Sequence, residues 1–280
     1  LLRQFSIIKI RIARLAWRSG AANNPSARKI LSSSVDPLDL TIVIPCLNEE
    51  ENIVDILDNV KQAVANQKFT SEIVVVDDQS DDATYERATQ WAAENRNVIP
   101  VRVVRRELQR RGYGAVVRYG AAHGVGRYGI FVSADAVDPI DLIPKLYDEM
   151  EKGAVLAQCS RYLEKGDDST IPFKYKFFQF FFRIGVRIAL GQYIPDSTYA
   201  FKMFRRRELL GMGLSQNRFS ISPEITFKAI LTGGQVKYIP GAQGVRARGV
   251  SKFIFRKEGI GFSYCLLRSF LHRYKIAYWF

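Results

Sequence analysis

Two short stretches hold the residues best suited to chemistry. Val74-Val75-Val76-Asp77-Asp78-Gln79-Ser80 and Phe131-Val132-Ser133-Ala134-Asp135-Ala136-Val137-Asp138 are each an apolar run that stops at carboxylates. Runs of β-branched residues read as strands buried on both faces, and in an open α/β sheet a ligand lies off the strands' carboxyl ends. Carboxylates placed there can accept hydrogen bonds, ligate a hard cation or take up a proton. A lone Asp after a strand more commonly caps the next helix. Two such clusters, with a third strand end at Pro45-Cys46-Leu47-Asn48-Glu49-Glu50, make capping alone an insufficient account.

The elements that must position these residues alternate along the chain. A strand over Leu40 to Pro45 leads to a helix carrying Ile53, Ile56, Leu57, Val60 and Val64, for which Asn48 and Glu51 form a capping-box-like start. A strand at Glu72 to Asp77, a helix at Asp82 to Arg96, a strand at Val98 to Val104 and a helix at Tyr113 to His123 follow. Next come a strand at Gly129 to Ser133, a helix at Pro139 to Lys152 and a strand at Ala154 to Gln158. Alternation of this kind predicts right-handed crossovers and a mostly parallel sheet with flanking helices, an α/β fold. Gly112 and Gly114 lack the third glycine of a dinucleotide fingerprint.

Composition bounds the partners. The 280 residues, 47% apolar, suffice for one large α/β domain with peripheral elements. A formal charge of +13 would attract phosphates, nucleic acid or an anionic membrane surface, without choosing among them. Cys46, Cys159 and Cys265 lie far apart without metal-type spacing and read as reduced core thiols. No apolar stretch reaches the ~18 to 20 residues of a spanning helix, and the start carries no signal-peptide pattern. Residues 1–19 instead place Leu1, Phe5, Ile8, Ile12 and Leu15 on one helical face and Arg3, Arg11, Arg14 and Arg18 on another. Such a helix suits an anionic bilayer surface or a place on the domain with its basic face in water. Ser19 to Asp39 reads as a tether. The aromatic and basic mixture of Phe173 to Ile184 returns in Phe262 to Phe280, and both fit interfacial helices, with burial of the rings against the sheet as the alternative. The expected organisation is therefore 1–39, helix and tether; 40–253, the α/β domain; and 254–280, a C-terminal interfacial segment.

Five motifs in order carry a resemblance. They are Pro45-x-x-Asn48-Glu49-Glu50-x-Asn52-Ile53, Val76-Asp77-Asp78-x-Ser80-x-Asp82, Ala134-Asp135-x-x-Asp138-Pro139, Ser160-Arg161-Tyr162 and Arg246-x-x-Gly249-x-Ser251-Lys252. Together, over Leu40 to Phe253, the chain resembles an inverting family 2 glycosyltransferase of the GT-A fold, and most of all the dolichyl- or polyprenyl-phosphate sugar synthases. The resemblance implies transfer of one sugar from a nucleotide-diphosphate donor, GDP-mannose or a UDP-hexose, to polyprenyl or dolichyl phosphate. It also implies a peripheral protein on the cytoplasmic face of a membrane. Nucleotide recognition falls by resemblance on Pro45, Glu49 and Asp77, with Asp78 as an alternative support of the loop. Asp135 becomes the ligand of Mg²⁺ or Mn²⁺. Ser133 stands where the family's Asp-x-Asp has its first Asp, and Val137 where it has Gln. Asp138 is then a candidate second ligand and equally a cap for the helix at Pro139. Lys202 takes the place of an Arg that reaches the diphosphate, keeping charge without the bidentate fork. Arg246, Ser251 and Lys252 resemble a loop that closes over the donor. Arg161 resembles the ligand of the acceptor phosphate, with Arg118 a second candidate or an exposed helix charge.

A lipid phosphate has a second pKa of roughly 6 and is already an ionised nucleophile near neutral pH, so it needs no general base. A sugar hydroxyl as acceptor would need one, and Glu224 and Asp138 are the carboxylates to consider, although Glu224 could equally serve the helix dipole near Pro223. A nucleic-acid-binding protein is disfavoured, because acidic strand ends repel nucleic acid and no binding motif is present. A catalytically silent scaffold remains the other rival, raised by Ser133.

Overall fold

The computed structural model describes residues 38–107, 111–165, 167–245 and 255–280. The expected helix of residues 1–19 and the loop residues Arg246, Ser251 and Lys252 lie outside the described residues. Seven strands form one sheet: β1 (Leu38–Cys46), β2 (Ser71–Asp77), β3 (Val101–Arg105), β4 (Gly126–Phe131), β5 (Leu156–Ser160), β6 (Lys202–Arg205) and β7 (Val236–Pro240). The spatial order is β3-β2-β1-β4-β6-β5-β7. All neighbours pair in parallel except β6, which runs against both β4 and β5. The mostly parallel α/β sheet expected from the alternation is therefore present, with one reversed strand.

Helices cover both faces. On one side α1 (Ile53–Val64), α2 (Thr84–Asn95) and α4 (Ile143–Glu151) pack on Leu40, Ile42, Ile44, Ile73 and Val75. On the other, α3 (Tyr113–His123), α6 (Arg206–Gly211) and α7 (Ile221–Leu231) pack on Val43, Val74 and Val76. The strict alternation of side chains along β1 and β2 between these two cores is why Ile42 to Ile44 and Ile73 to Val76 are apolar at every position. Each such side chain, fully buried, contributes about 1.5–3 kcal/mol over exposure. A third, smaller cluster joins α5 (Phe173–Leu190) and α8 (Phe255–Arg273) to α7 through Val186, Leu190, Phe227, Cys265 and Trp279. The three cysteines are free and buried, as expected of core thiols.

Two local expectations are corrected. Asn48 and Glu51 do not cap α1, which begins at Ile53 after Asn52 without a side-chain cap. Asn48 instead adopts a left-handed φ of 51° and ties two loops together. Its amide donates to Ser80 Oγ at 2.9 Å and its Oδ1 accepts the Asp81 amide at 2.9 Å. Asn is one of the few residues that enters this region cheaply. The glycines at the start of α3 serve close approach: Gly112 has φ of 154°, and a Cβ there would lie 2.3 Å from the Asn217 carbonyl oxygen. At Gly114 it would lie 2.3 Å from that of Gln216. These glycines let the loop before α7 lie against the start of α3.

Candidate active site

Chain order reverses between β1 and β4: β2 and β3 extend the sheet on one side of β1, and β4 begins the other. That is the switch point at which the loops after adjacent strands diverge and leave a crevice. A cleft of about 980 Å³ opens there. Its floor comes from the strand ends, with Pro45 near the end of β1 and Glu49 after it, Asp78 after β2, and Ser133, Asp135 and Asp138 after β4. Its far wall is aromatic, from Tyr175, Phe178, Phe181 and Phe182 of α5 and Phe262 of α8. The two acidic stretches far apart in sequence are thus neighbours in space.

The acidic pair after β2 divides its work. Asp77 is buried and does not line the cleft; its carboxylate accepts the Ser80 amide at 3.3 Å and pairs with Arg105 at 3.2 Å. Asp78 lines the cleft, but its carboxylate receives Arg106 Nε at 2.8 Å and the Gly112 amide at 2.9 Å. Pro45 and Glu49 line the cleft, with Glu49 Oε2 accepting from Asn52 Nδ2 at 3.0 Å.

After β4 the backbone turns sharply at Ala136, whose φ is 58°. This brings Asp138 back under the strand end, where its Oδ2 accepts the Ser133 amide at 2.7 Å. Asp138 therefore holds the loop that presents Asp135. Burial first, and the nearby charge of Asp135 in addition, push the Asp138 carboxyl up to about 6 despite the Ser133 hydrogen bonds that oppose them. Asp138 Oδ1 is buried without a partner in hydrogen-bonding geometry; the Tyr199 hydroxyl lies near enough to affect it but out of that geometry. Two carboxylates in electrostatic reach, one with an orphaned oxygen, make a donor set that fits a hard divalent cation. Among the described residues no group of three or more His, Cys, Asp or Glu could hold a metal, so these two would share it with ligand oxygens or water.

Arg161, following β5, also lines the cleft. Its Nε donates to Asp196 Oδ2 at 2.7 Å and Nη2 to Asp196 Oδ1 at 3.2 Å, a bidentate pair with a fully buried carboxylate. Nη2 also reaches Thr198 Oγ1 at 3.0 Å and Nη1 reaches Gln243 Oε1 at 3.1 Å. The guanidinium stacks on Tyr199, with 4.7 Å to the ring centroid. Burial would raise the Asp196 carboxyl, yet Arg161 and Thr198 hold it below the usual carboxylate range.

Other expected residues are placed elsewhere. Lys202 opens β6, is fully buried and does not line the cleft, so the expectation that it reaches a diphosphate is corrected. Its Nζ donates to Thr226 Oγ1 at 2.9 Å, Ser222 O at 3.0 Å and Ser197 O at 3.3 Å. Arg118 likewise lies outside the cleft lining; it binds the Gln216 carbonyl and, at 2.5 Å, Asn217 Oδ1, joining α3 to the loop before α7. Glu224 is buried and engaged by Lys228 at 2.9 Å, the Ser215 amide at 3.0 Å and the Gln216 amide at 2.9 Å, which removes it as a base. Sequence reasoning missed Asp196 as the partner of Arg161. It also missed Gln179, Tyr199 and Arg218 as lining residues. Gln179 alone carried a signal, as the one amide inside the aromatic run Phe177 to Phe182.

Burial pushes the Lys202 ammonium down to about 7, with Asp196 opposing and Arg161 adding to the shift. A depressed amine binds fewer protons in the folded chain than in the unfolded one between about 7 and the ordinary lysine value of 10.5. Stability from this group therefore rises with pH across that window and is lost as pH falls through it. Denaturation from pH 7 to 10 should show the native protein gaining stability relative to Lys202→Met; parallel curves would refute the shift.

An open α/β sheet with one reversed strand and an acidic switch-point cleft is the architecture of GT-A enzymes. The sequence model of glycosyl transferase family 2 matches residues 41–210, and the chain belongs to that family. A dolichol-phosphate mannosyltransferase of Pyrococcus furiosus is 32% identical over 217 residues, 77% of this chain and 59% of that protein. A dolichyl-phosphate beta-glucosyltransferase of Trichomonas vaginalis is 28% identical over 213 residues, 71% of this chain and 62% of the relative. The chain thus spans about three fifths of the length of these two relatives. Among solved structures, glucosyl-3-phosphoglycerate synthase from Mycobacterium tuberculosis, in complex with Mn²⁺, UDP and glucosyl-3-phosphoglycerate, aligns with a TM-score of 0.58 at 19% identity, covering 85% of this chain and 80% of its own. The same synthase with Mg²⁺ and UDP aligns with a TM-score of 0.58, at 19% identity and covering 85% and 79% of the two chains. These likenesses support the fold.

Proposed function

We propose that this protein transfers one sugar from a nucleotide-diphosphate donor to polyprenyl or dolichyl phosphate, with inversion, at a membrane surface. One observation carries the reading: a single cleft runs from strand-end carboxylates to the aromatic helix α5. The acidic end suits a nucleotide, whose N–H donors and ribose hydroxyls seek acceptors; Pro45 and Glu49 stand there, beside Asp78, whose carboxylate is engaged by Arg106 and the Gly112 amide. The aromatic end suits an isoprenoid chain. Beyond the cleft α5 leaves Phe173, Phe177, Phe180 and Ile188 exposed, and α8 leaves Ile260 and Leu267 exposed, among basic residues whose stems reach a headgroup layer. Among the described residues no helix is long and apolar enough to cross a membrane.

Asp135, with Asp138, would hold Mg²⁺ or Mn²⁺, whose positive charge stabilises the departing diphosphate. The chain's own residues do the rest. Asp196 holds the Arg161 guanidinium over the Tyr199 ring, leaving its Nη1 edge turned to the Gln243 amide. An acceptor phosphate oxygen can displace that neutral amide and gain a charge-assisted hydrogen bond. Held there, an already ionised phosphate needs orientation rather than a base. The aromatic wall excludes water from the activated sugar. A matched pair of acceptors tests the reading: a polyprenyl phosphate should support nucleotide release and the corresponding alcohol should not. Equal use of the alcohol would overturn it in favour of a hydroxyl acceptor, with Asp138 as the base.

A further inference from the structure

We propose that Gln179 is a positioning residue that couples the aromatic helix α5 to Arg161, so that seating of the acceptor's apolar chain and grip on its phosphate act together. The inference rests on the reading of Arg161 as the acceptor-phosphate ligand and extends it to a residue outside every motif of the sequence. Gln179 is the only polar side chain among the buried residues of α5. Its Nε2 donates to Thr198 Oγ1 at 2.9 Å and to Asp196 Oδ1 at 3.3 Å. Both acceptors are partners of Arg161 Nη2, at 3.0 and 3.2 Å. The Thr198 hydroxyl is the junction: it accepts from Gln179 and Arg161 and donates its own proton to Asp196 Oδ1 at 3.0 Å. Its rotor is thereby set from both sides.

On the same helix, Tyr175 and Phe178 precede Gln179 and Phe182 follows it, and all three line the cleft with it. Tyr175 and Phe182 stand four residues before and three after Gln179 and so share its helix face, and an apolar chain against these two rings bears on the face that carries the amide. Any shift of α5 is passed through two hydrogen bonds to the turn at Asp196 and so to Arg161. A Gln buried merely to fill space would satisfy its own amide, but it would not share both acceptors with the guanidinium.

The test uses Gln179→Met, which keeps the length and packing of the side chain, Thr198→Val, and the double variant. Polyprenyl phosphates of short and long chain are the acceptors. Gln179→Met should raise the acceptor KM about tenfold, the scale of one lost net hydrogen bond, with nucleoside diphosphate affinity and thermal melting near the native values. The native preference for the longer chain should shrink, and the double variant should lose no more than the worse single one, since all three groups act through one junction. Losses that add, or a chain-length preference unchanged in Gln179→Met, overturn the coupling, whether or not stability falls. A native protein that uses the alcohol as well as the phosphate would withdraw the reading of Arg161 itself, a distinct result.

Discussion

Asp135→Asn is expected to lower sugar transfer by about 10³-fold while the protein melts near its native temperature, because the change removes one anionic ligand and little packing. Asp135 stands in the loop after β4, on the cleft floor, and Asp138 supports that loop through the Ser133 amide. An amide there keeps the size but exchanges one acceptor oxygen for a donor and takes away the charge a hard cation needs. The loss should persist at saturating Mn²⁺. Steady-state transfer together with a metal titration checks it, and native activity in the variant would remove Asp135 from the chemistry. Ser133→Asp supplies the companion result. Ser133 lines the same cleft and offers only a neutral oxygen, so an added carboxylate should tighten Mn²⁺ binding. An unchanged titration would mean that this side chain does not face the ion.

Arg161→Ala should cut kcat/KM for the lipid phosphate by about 10²-fold, and Arg161→Lys by less, with little change in nucleotide affinity. The order follows from geometry, since Lys restores a charge but not the planar fork that Asp196 engages at 2.7 and 3.2 Å. The Ala variant carries a second cost. It leaves Asp196, fully buried, without its counter-charge, a loss of about 3–5 kcal/mol of stability for an interior pair broken on one side. Arg161→Ala combined with Asp196→Asn separates the two effects, because removing both charges should recover folding but not acceptor use. Urea denaturation and acceptor kinetics on the three variants decide the outcome. Recovery of acceptor use in the double variant would show that Arg161 serves only to neutralise Asp196.

Much of this protein is legible in its sequence because the signals are local. The β-branched runs at Leu40 to Pro45 and Val74 to Val76 had to be strands buried on both faces, and the stripe Ile53, Ile56, Leu57, Val60 and Val64 had to be a helix laid on them. Carboxylates at the ends of two such strands marked the cleft before any contact was known. What the sequence could not decide were partnerships across long separations. Asp196 follows Arg161 by 35 residues and Gln179 precedes Asp196 by 17, and only the antiparallel course of β6 beside β5 brings them together. The same course determined the fate of Lys202. Read along the chain it was a free cation beside a family motif; at the start of a strand with neighbours on both sides, its side chain enters the core and finds the oxygens of α7. Asn48, a plausible cap in isolation, and Glu224, a candidate base or first-turn acid, follow this pattern, each engaged by groups from neighbouring loops once those loops met. Secondary structure answers to periodicity, which a sequence displays. The role of a charged side chain depends on which groups share its burial, and that is settled only when the sheet is assembled.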